Sequence, residues 1–153
     1  MAARWQVYLA GEIHSNWRAS LIFEAKKKNL PVDFSHPELD HGRSDGCGEQ
    51  LLGAESSGYW RDQKAARMNS IRIRTAIERA DVVVVCFGEK YRQWNAAFEA
   101  GLATAMGKRL IVIHPPEFDH ALKEVDAFAD VVARDSSTVL GVLDYAFGGM
   151  SDS

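Results

Sequence analysis

The sequence has 153 residues, 46% hydrophobic and 25% charged, with 18 basic against 21 acidic side chains and a formal net charge of −3. That length suits one core and is short for two, and no apolar run is long enough for a membrane helix. The slight acidic excess argues against a nucleic-acid partner. The first residues lack the apolar stretch of a secretory leader, and Cys47 and Cys86 are too few for a disulfide framework, so a cytoplasmic location is expected.

In chain order, Trp5–Ala10 reads as a first strand closed by Gly11. Ser15 or Asn16 can cap a helix through Lys28, whose basic end suits the C-terminal dipole. Val32–Ser35 is a short strand after Pro31. The polar, glycine-containing segment 36–60 reads as a long loop, and Asp62 can cap a helix to about Arg79. Asp81–Phe87 (DVVVVCF) is the strongest strand. A helix over Trp94–Met106 stops at Gly107, and the strand Leu110–His114 stops at Pro115 and Pro116. A short helix near Ala121–Phe128, a weak strand at Val131–Ala133 and a last helix from Ser136 or Ser137 to Phe147 complete the chain.

Near-continuous β-branched runs mark strands covered on both faces, and strands alternating with helices predict right-handed crossovers. The expected fold is therefore α/β: one domain over 1–153, a doubly wound parallel sheet of the flavodoxin/Rossmann-like kind, about five strands in the order 2-1-3-4-5. Ligands of such sheets bind at the carboxyl ends of the strands, where the strand order reverses. Here that edge gathers the segments after Ala10, Ser35, Phe87 and His114, and the 36–60 loop is expected to serve it.

One charge stands out. In Gln93–Gly107, QWNAAFEAGLATAMG, Glu99 is the only charged residue. A helix apolar around its circumference is expected to be buried, so Glu99 is a carboxylate in an apolar setting next to the predicted ligand edge. Burial raises a carboxylate pKa and a nearby helix N-terminus lowers it, and such perturbed groups are site candidates.

The stretches YLAG (Tyr8–Gly11), ADVVVVCF (Ala80–Phe87) and AAFEAGLATAMGKRLIVI (Ala96–Ile113) resemble the signature of the nucleoside 2-deoxyribosyltransferase superfamily. Over most of its length, through VYLAGEIHSNWR, DHGRSD, YWRDQKAARMNSIR and KYRQWNAAFEAGLA, the chain is similar to the YtoQ family of bacterial proteins. The resemblance implies a nucleophilic role for Glu99, an orienting role for Tyr8, a nucleoside or nucleoside monophosphate as ligand, no cofactor, and a homodimer or higher homo-oligomer. The chemistry implied is that of retaining glycosidases: a carboxylate attacks the anomeric carbon and a covalent glycosyl-enzyme forms. The pattern is incomplete. Where the superfamily carries a carboxylate ahead of its nucleophile, this chain has Gln93, Trp94 and Asn95. A second superfamily carboxylate falls on Ile73, with Asn69 one turn earlier on the same helical stripe.

Loop residues supply candidates in their place. Asp45 could provide the missing carboxylate, with Arg43 and Ser44 beside it, and Glu12 and His14 follow the first strand at the ligand edge. Gly11 allows close approach of a ligand, and Ser15 with first-turn amides could hold a phosphate, as could Arg61 or Lys64. Trp17, Tyr59, Trp60, Tyr91 and Trp94 flank the same loops and could stack on a base. The spacing of His36, His41 and Asp45 matches no standard zinc pattern, so no metal is expected. Cys86, inside an apolar strand, is expected to be inert packing.

The favoured expectation is an enzyme acting on an N-glycosidic bond, with hydrolysis ahead of transfer because the transfer-associated carboxylates are missing. A non-catalytic nucleotide- or metabolite-binding module using the same cleft is the alternative. A third is a hydrolase working through the His14–Glu12 pair.

Overall fold

A computed structural model describes residues 4–90 and 92–149. Five parallel strands form one sheet: β1 (Trp5–Gly11), β2 (Val32–Ser35), β3 (Val82–Cys86), β4 (Arg109–Ile113) and β5 (Val131–Ala133), in the order β2-β1-β3-β4-β5. The expected doubly wound topology is therefore the observed one. Between the strands run α1 (Trp17–Lys27), α2 (His41–Leu52), α3 (Gly58–Arg79), α4 (Trp94–Ala105), a short α5 (Lys123–Phe128) and a closing α6 (Ser136–Phe147). None of these helices is long and apolar enough to cross a membrane.

Strand alternation divides the core. Val7, Leu9, Val82, Val84, Ile111 and Ile113 face one side, with Trp17 and Leu21 of α1 and Val139 and Leu143 of α6. Tyr8, Ala10, Val83, Val85, Leu110 and Val112 face the other, with Ile77 of α3 and the alanines of α4. All five β3 residues are buried, which is what an unbroken β-branched run requires. Gly11 of β1 pairs with Cys86 of β3. The chain winds to β2 on one side of β1 and to β3 on the other, so strand order reverses between β1 and β3.

The structure corrects three expectations. The segment 36–60 is not a loop: α2 occupies His41–Leu52, and α3 begins at Gly58 instead of after Asp62. Asp40 caps α2, its carboxylate accepting from the Arg43 amide at 2.9 Å. One of the glycines that lowered the helical signal, Gly48, is a packing device. A Cβ on Gly48 would lie 2.6 Å from the Lys64 Cβ and 2.7 Å from the Ala65 amide, so glycine lets α2 press against α3. Secondly, neither Ser15 nor Asn16 caps α1 through its side chain, because the Ser15 hydroxyl is engaged by Glu12. Thirdly, α4 is not buried all round. Ala96, Glu99, Ala100 and Ala103 face the sheet, whereas Trp94 and Phe98 are 73% and 70% exposed.

Candidate functional site

The alternation of β1 sends Tyr8 toward α4, and the small side chains of Ala96, Ala100 and Ala103 let that helix sit close to the sheet. Glu99, in the second turn of α4, reaches the gap this leaves. The Tyr8 hydroxyl donates to Glu99 Oε2 at 2.9 Å, with Tyr8 0% and Glu99 7% exposed. Burial raises the pKa of Glu99, opposed by the Tyr8 hydrogen bond and the nearby Arg18 charge. The Tyr8 phenol is pushed far upward, mainly by burial and then by the Glu99 charge, so it is held as a proton donor.

At the end of β1 the chain turns sharply. Gly11 has φ +98°, and a Cβ there would lie 2.1 Å from the Cys86 carbonyl oxygen, so only glycine fits. The Glu12 amide donates to that same carbonyl at 2.9 Å. The Glu12 side chain then folds over the next residues. It accepts from the His14 amide, from the Ser15 amide at 2.8 Å and from the Ser15 hydroxyl at 2.6 Å. Beneath it the buried Arg18 donates to the carbonyls of Leu9 (3.0 Å), Gly11 (2.9 Å) and Glu12 (2.5 Å). Trp17 Nε1 also donates to the Glu12 carbonyl at 2.8 Å, so its indole is fixed in the core and not free to stack on a base. Burial lowers the Arg18 pKa, with surrounding acidic groups opposing. Arg18 is the functional-edge residue that sequence reasoning missed. A signal existed: a cation in the first turn of a helix opposes the dipole and needs another reason to be there.

Two cavities open at this edge. The first, about 630 Å³, lies among α2, α3 and α4 and is bordered by Ser44, Asp45, Asn69, Ile73 and Phe98. The second, about 560 Å³, is bordered by Gly11, Glu12, His14, His41, Gln93 and Trp94. Glu99 and Asn95 line both. A single buried carboxylate therefore faces two compartments, and polar and apolar side chains border both.

Most of the predicted residues meet here. Asn69 donates to the Ser44 carbonyl at 3.0 Å and to its hydroxyl at 3.2 Å, tying α3 to α2 at the first cavity. Asp45 lines that cavity with its carboxylate largely exposed, 3.9 Å from His41 Nδ1. The rings of His14 and His41 stack at 5.8 Å, closing α2 over the second cavity. Gln93 accepts from the Gly88 amide at 2.8 Å and donates to the Lys90 carbonyl at 3.1 Å, which shapes the turn before α4. Arg43 is turned elsewhere: its guanidinium lies 3.2 Å from Glu38, and it borders neither cavity. Lys64 is also committed elsewhere, to Glu55 at 2.6 Å and to the Leu52 and Gly53 carbonyls that end α2. Arg61 lies beside Asp62 at 3.8 Å, Tyr59 and Trp60 pack edge to face against each other, and Tyr91 is outside the described residues.

Cys86 is buried and pushed up to about 12 by that burial, the condition of a thiol that packs and does not react. A polar cluster that sequence reasoning did not anticipate follows β4. His114 Nε2 lies 3.0 Å from both Asp126 oxygens and Nδ1 lies 2.8 Å from the Pro115 carbonyl, while Asp119 is held by Arg134 at 2.6 Å. His114, Asp119 and Asp126 are the described residues whose ligating atoms gather closely enough to hold a metal ion. Their partners are already supplied by one another, by the Pro115 carbonyl and by Arg134, which makes the cluster a brace for the β4–α5 turn.

A doubly wound parallel sheet with a buried Glu–Tyr pair at the reversal of strand order defines an α/β protein whose ligand edge is at the carboxyl ends of β1 and β3. The chain belongs to the family described as Nucleoside 2-deoxyribosyltransferase YtoQ, whose model matches residues 8–147. It is 41% identical over 141 residues to a protein of Bacillus subtilis (strain 168) named "Uncharacterized protein YtoQ", covering 92% of this chain and 95% of that one. Among solved structures, a conserved protein from Enterococcus faecalis V583 superposes with a TM-score of 0.65 at 14% identity, covering 95% of this chain and 100% of that one. A 2-deoxyribosyltransferase from Bacillus psychrosaccharolyticus superposes with a TM-score of 0.55 at 16% identity, over 90% of this chain and 95% of that one. At those identities the two structures establish the shared fold.

Proposed function

We propose that this protein cleaves the N-glycosidic bond of a nucleoside or nucleoside monophosphate through a covalent intermediate on Glu99. The observation that carries the reading is the buried Tyr8–Glu99 pair, which gives both cavities one shared carboxylate. A Glu99 oxygen attacks C1′ as the C1′–N bond breaks, and the base departs with the bonding electron pair and takes up a proton from solvent, matched by the proton that water later gives up. Water then attacks C1′, its proton passes to a base, and the glycosyl–oxygen bond to Glu99 breaks, restoring the carboxylate. Asp45, on the wall of the first cavity, is the base we assign to that proton. The Ile73 and Phe98 side chains bordering the first cavity suit the nucleobase, and His14 and Asn95 bordering the second suit the sugar. The related deoxyribosyltransferase with the shared fold supports the substrate class.

Glu99→Gln keeps the shape and removes the nucleophile. Incubation with nucleosides and nucleoside monophosphates, with base release followed by chromatography, should show release by the wild type and none by the variant. Release that survives the substitution would sink the mechanism. The second reading is binding without turnover, favoured by Asn69 and Asn95, amides at the cavity walls that can hold hydroxyls and exchange no proton. It predicts saturable binding with no base released on long incubation. Assembly into a homo-oligomer, also part of the proposal, is checked by sedimentation.

A further inference from the structure

Arg18 stands in the first turn of α1, where a cation opposes the helix dipole, and it is 5% exposed. Strand pairing accounts for its place. The Gln6 carbonyl accepts the Asp81 amide beside β3, and carbonyls alternate along a strand, so the Leu9 carbonyl aims toward β2. β2 ends at Ser35, opposite Tyr8, and its register carried on would bring up Pro37, which has no amide hydrogen. Arg18 supplies the missing donors: Nε to the Leu9 carbonyl, Nη2 to that of Gly11 and Nη1 to that of Glu12. All three acceptors are uncharged, and Arg18 forms no ion pair among the described residues. Its guanidinium carbon lies 4.7 Å from the Trp17 ring centroid. A buried positive charge with no carboxylate in contact therefore sits under the turn that borders the second cavity with Glu99.

We propose that Arg18 is a positioning residue for Glu99: its fork fixes the end of β1, and so Tyr8, while its charge holds Glu99 as the carboxylate. The catalytic half of this rests on the glycosidic reading of Glu99. Tyr8 lies one residue before Leu9, so the bond that pins Leu9 sets where the phenol meets the Glu99 oxygen. The Arg18 charge acts through protein, where it is screened less than at a surface, and it opposes the upward push of burial on the Glu99 pKa. The other charges bordering the two cavities are of a different kind. His14 at the turn, His41 and Asp45 on α2, and Asp62 and Arg74 on α3 are exposed. Lys90 and Arg92 ahead of α4 are exposed as well, with Arg92 over the Trp94 ring at 5.9 Å. Solvent and salt screen all of these. Arg72, whose charge also reaches Tyr8, is paired with Glu38 at 3.5 Å. Glu12 is buried, and three donors of its own turn occupy it.

Glutamate labelled with 13C at the side-chain carboxyl reads the charge without any substrate, and Glu99→Gln identifies the Glu99 resonance. The Glu99 titration midpoint should rise by about one unit in Arg18→Met and stay within about 0.3 unit of the wild type in Arg18→Lys. A midpoint unmoved in Arg18→Met overturns the proposal. The wild-type protein supplies a second reading that needs no substitution at Arg18. Its Glu99 midpoint should hold steady between about 0.02 M and about 0.5 M KCl, because the cation that sets it is buried. A rise of about half a unit with salt would assign the midpoint to the exposed Arg74, Lys90 and Arg92, and overturns the role of Arg18. Base release reads position. Arg18→Lys keeps the charge and loses the fork, so kcat should fall about tenfold with KM little changed. Wild-type kcat in that variant overturns the positioning role. If the wild type releases no base, the glycosidic reading falls, while the two titrations still decide whether Arg18 holds Glu99 ionised.

Discussion

Two glutamates sit at the same sheet edge, Glu12 and Glu99, 6% and 7% exposed. Burial does not distinguish them; their partners do. Glu12 is met by two amides and a hydroxyl, all within four residues of chain, and its carboxylate closes a turn. Glu99 is met by one phenol from a distant strand, and its pKa is raised by burial. A carboxylate saturated with donors is structural, and one left under-solvated is held ready for chemistry, at a cost to the folded state.

The largest effect expected from breaking this contrast is on Glu99. Glu99→Gln should lower base release by about a thousandfold or more, the scale of losing an attacking group. The same change should leave the fold intact and raise stability at neutral pH by about 1 kcal/mol, because a neutral amide replaces a buried charge. Thermal melts at pH 7 check the second half. A variant that is both inactive and less stable would mean that Glu99 belongs to the scaffold.

Glu12→Ala should behave in the opposite way. It strips an acceptor from three donors, and a loss of about 2–3 kcal/mol in denaturant unfolding is expected. Gly88→Ala attacks the same group from outside, since the new Cβ overlaps the Glu12 side chain. About 1–2 kcal/mol is expected there, the range of an overpacked contact. If either change left stability untouched, Glu12 would not be the closed structural group described here.

The sheet was legible in the sequence because its signal is local. DVVVVCF and LIVIH are apolar without a polar break, and that pattern has few folds open to it. Glu99 was legible as the one charge in an uncharged stretch. Helix α2 was not, because Gly42, Gly46 and Gly48 weaken its intrinsic propensity. It is held by contacts made after folding, with Lys64 on its final carbonyls and Asn69 on Ser44. The saturation of Glu12 was also hidden. It depends on the turn at Gly11 bringing a carboxylate back over amides two and three residues ahead, a geometry that spacing alone does not reveal. Arg43 looked equivalent to its neighbours in sequence, yet the helix that carries it turns it to Glu38.

The smallest effect tests the contact that makes Glu99 unlike Glu12. Tyr8→Phe removes the hydrogen bond and leaves the ring. That bond lowers the Glu99 pKa against the upward push of burial, so without it the pKa rises further. The reactive form is the carboxylate, so activity is lost as pH falls through that pKa, and the acid limb of kcat/KM should move to higher pH in the variant. At neutral pH the expected loss is about tenfold, the size of one hydrogen bond to a charged group. Stability carries the complementary sign. A carboxyl whose pKa is raised on folding favours the folded state fully below its unfolded pKa, and that advantage fades as pH rises through its folded pKa. In Tyr8→Phe the fading should extend to higher pH, which melts taken from acid to neutral conditions would detect. An acid limb that stayed where it was would place the titrating carboxylate somewhere other than Glu99.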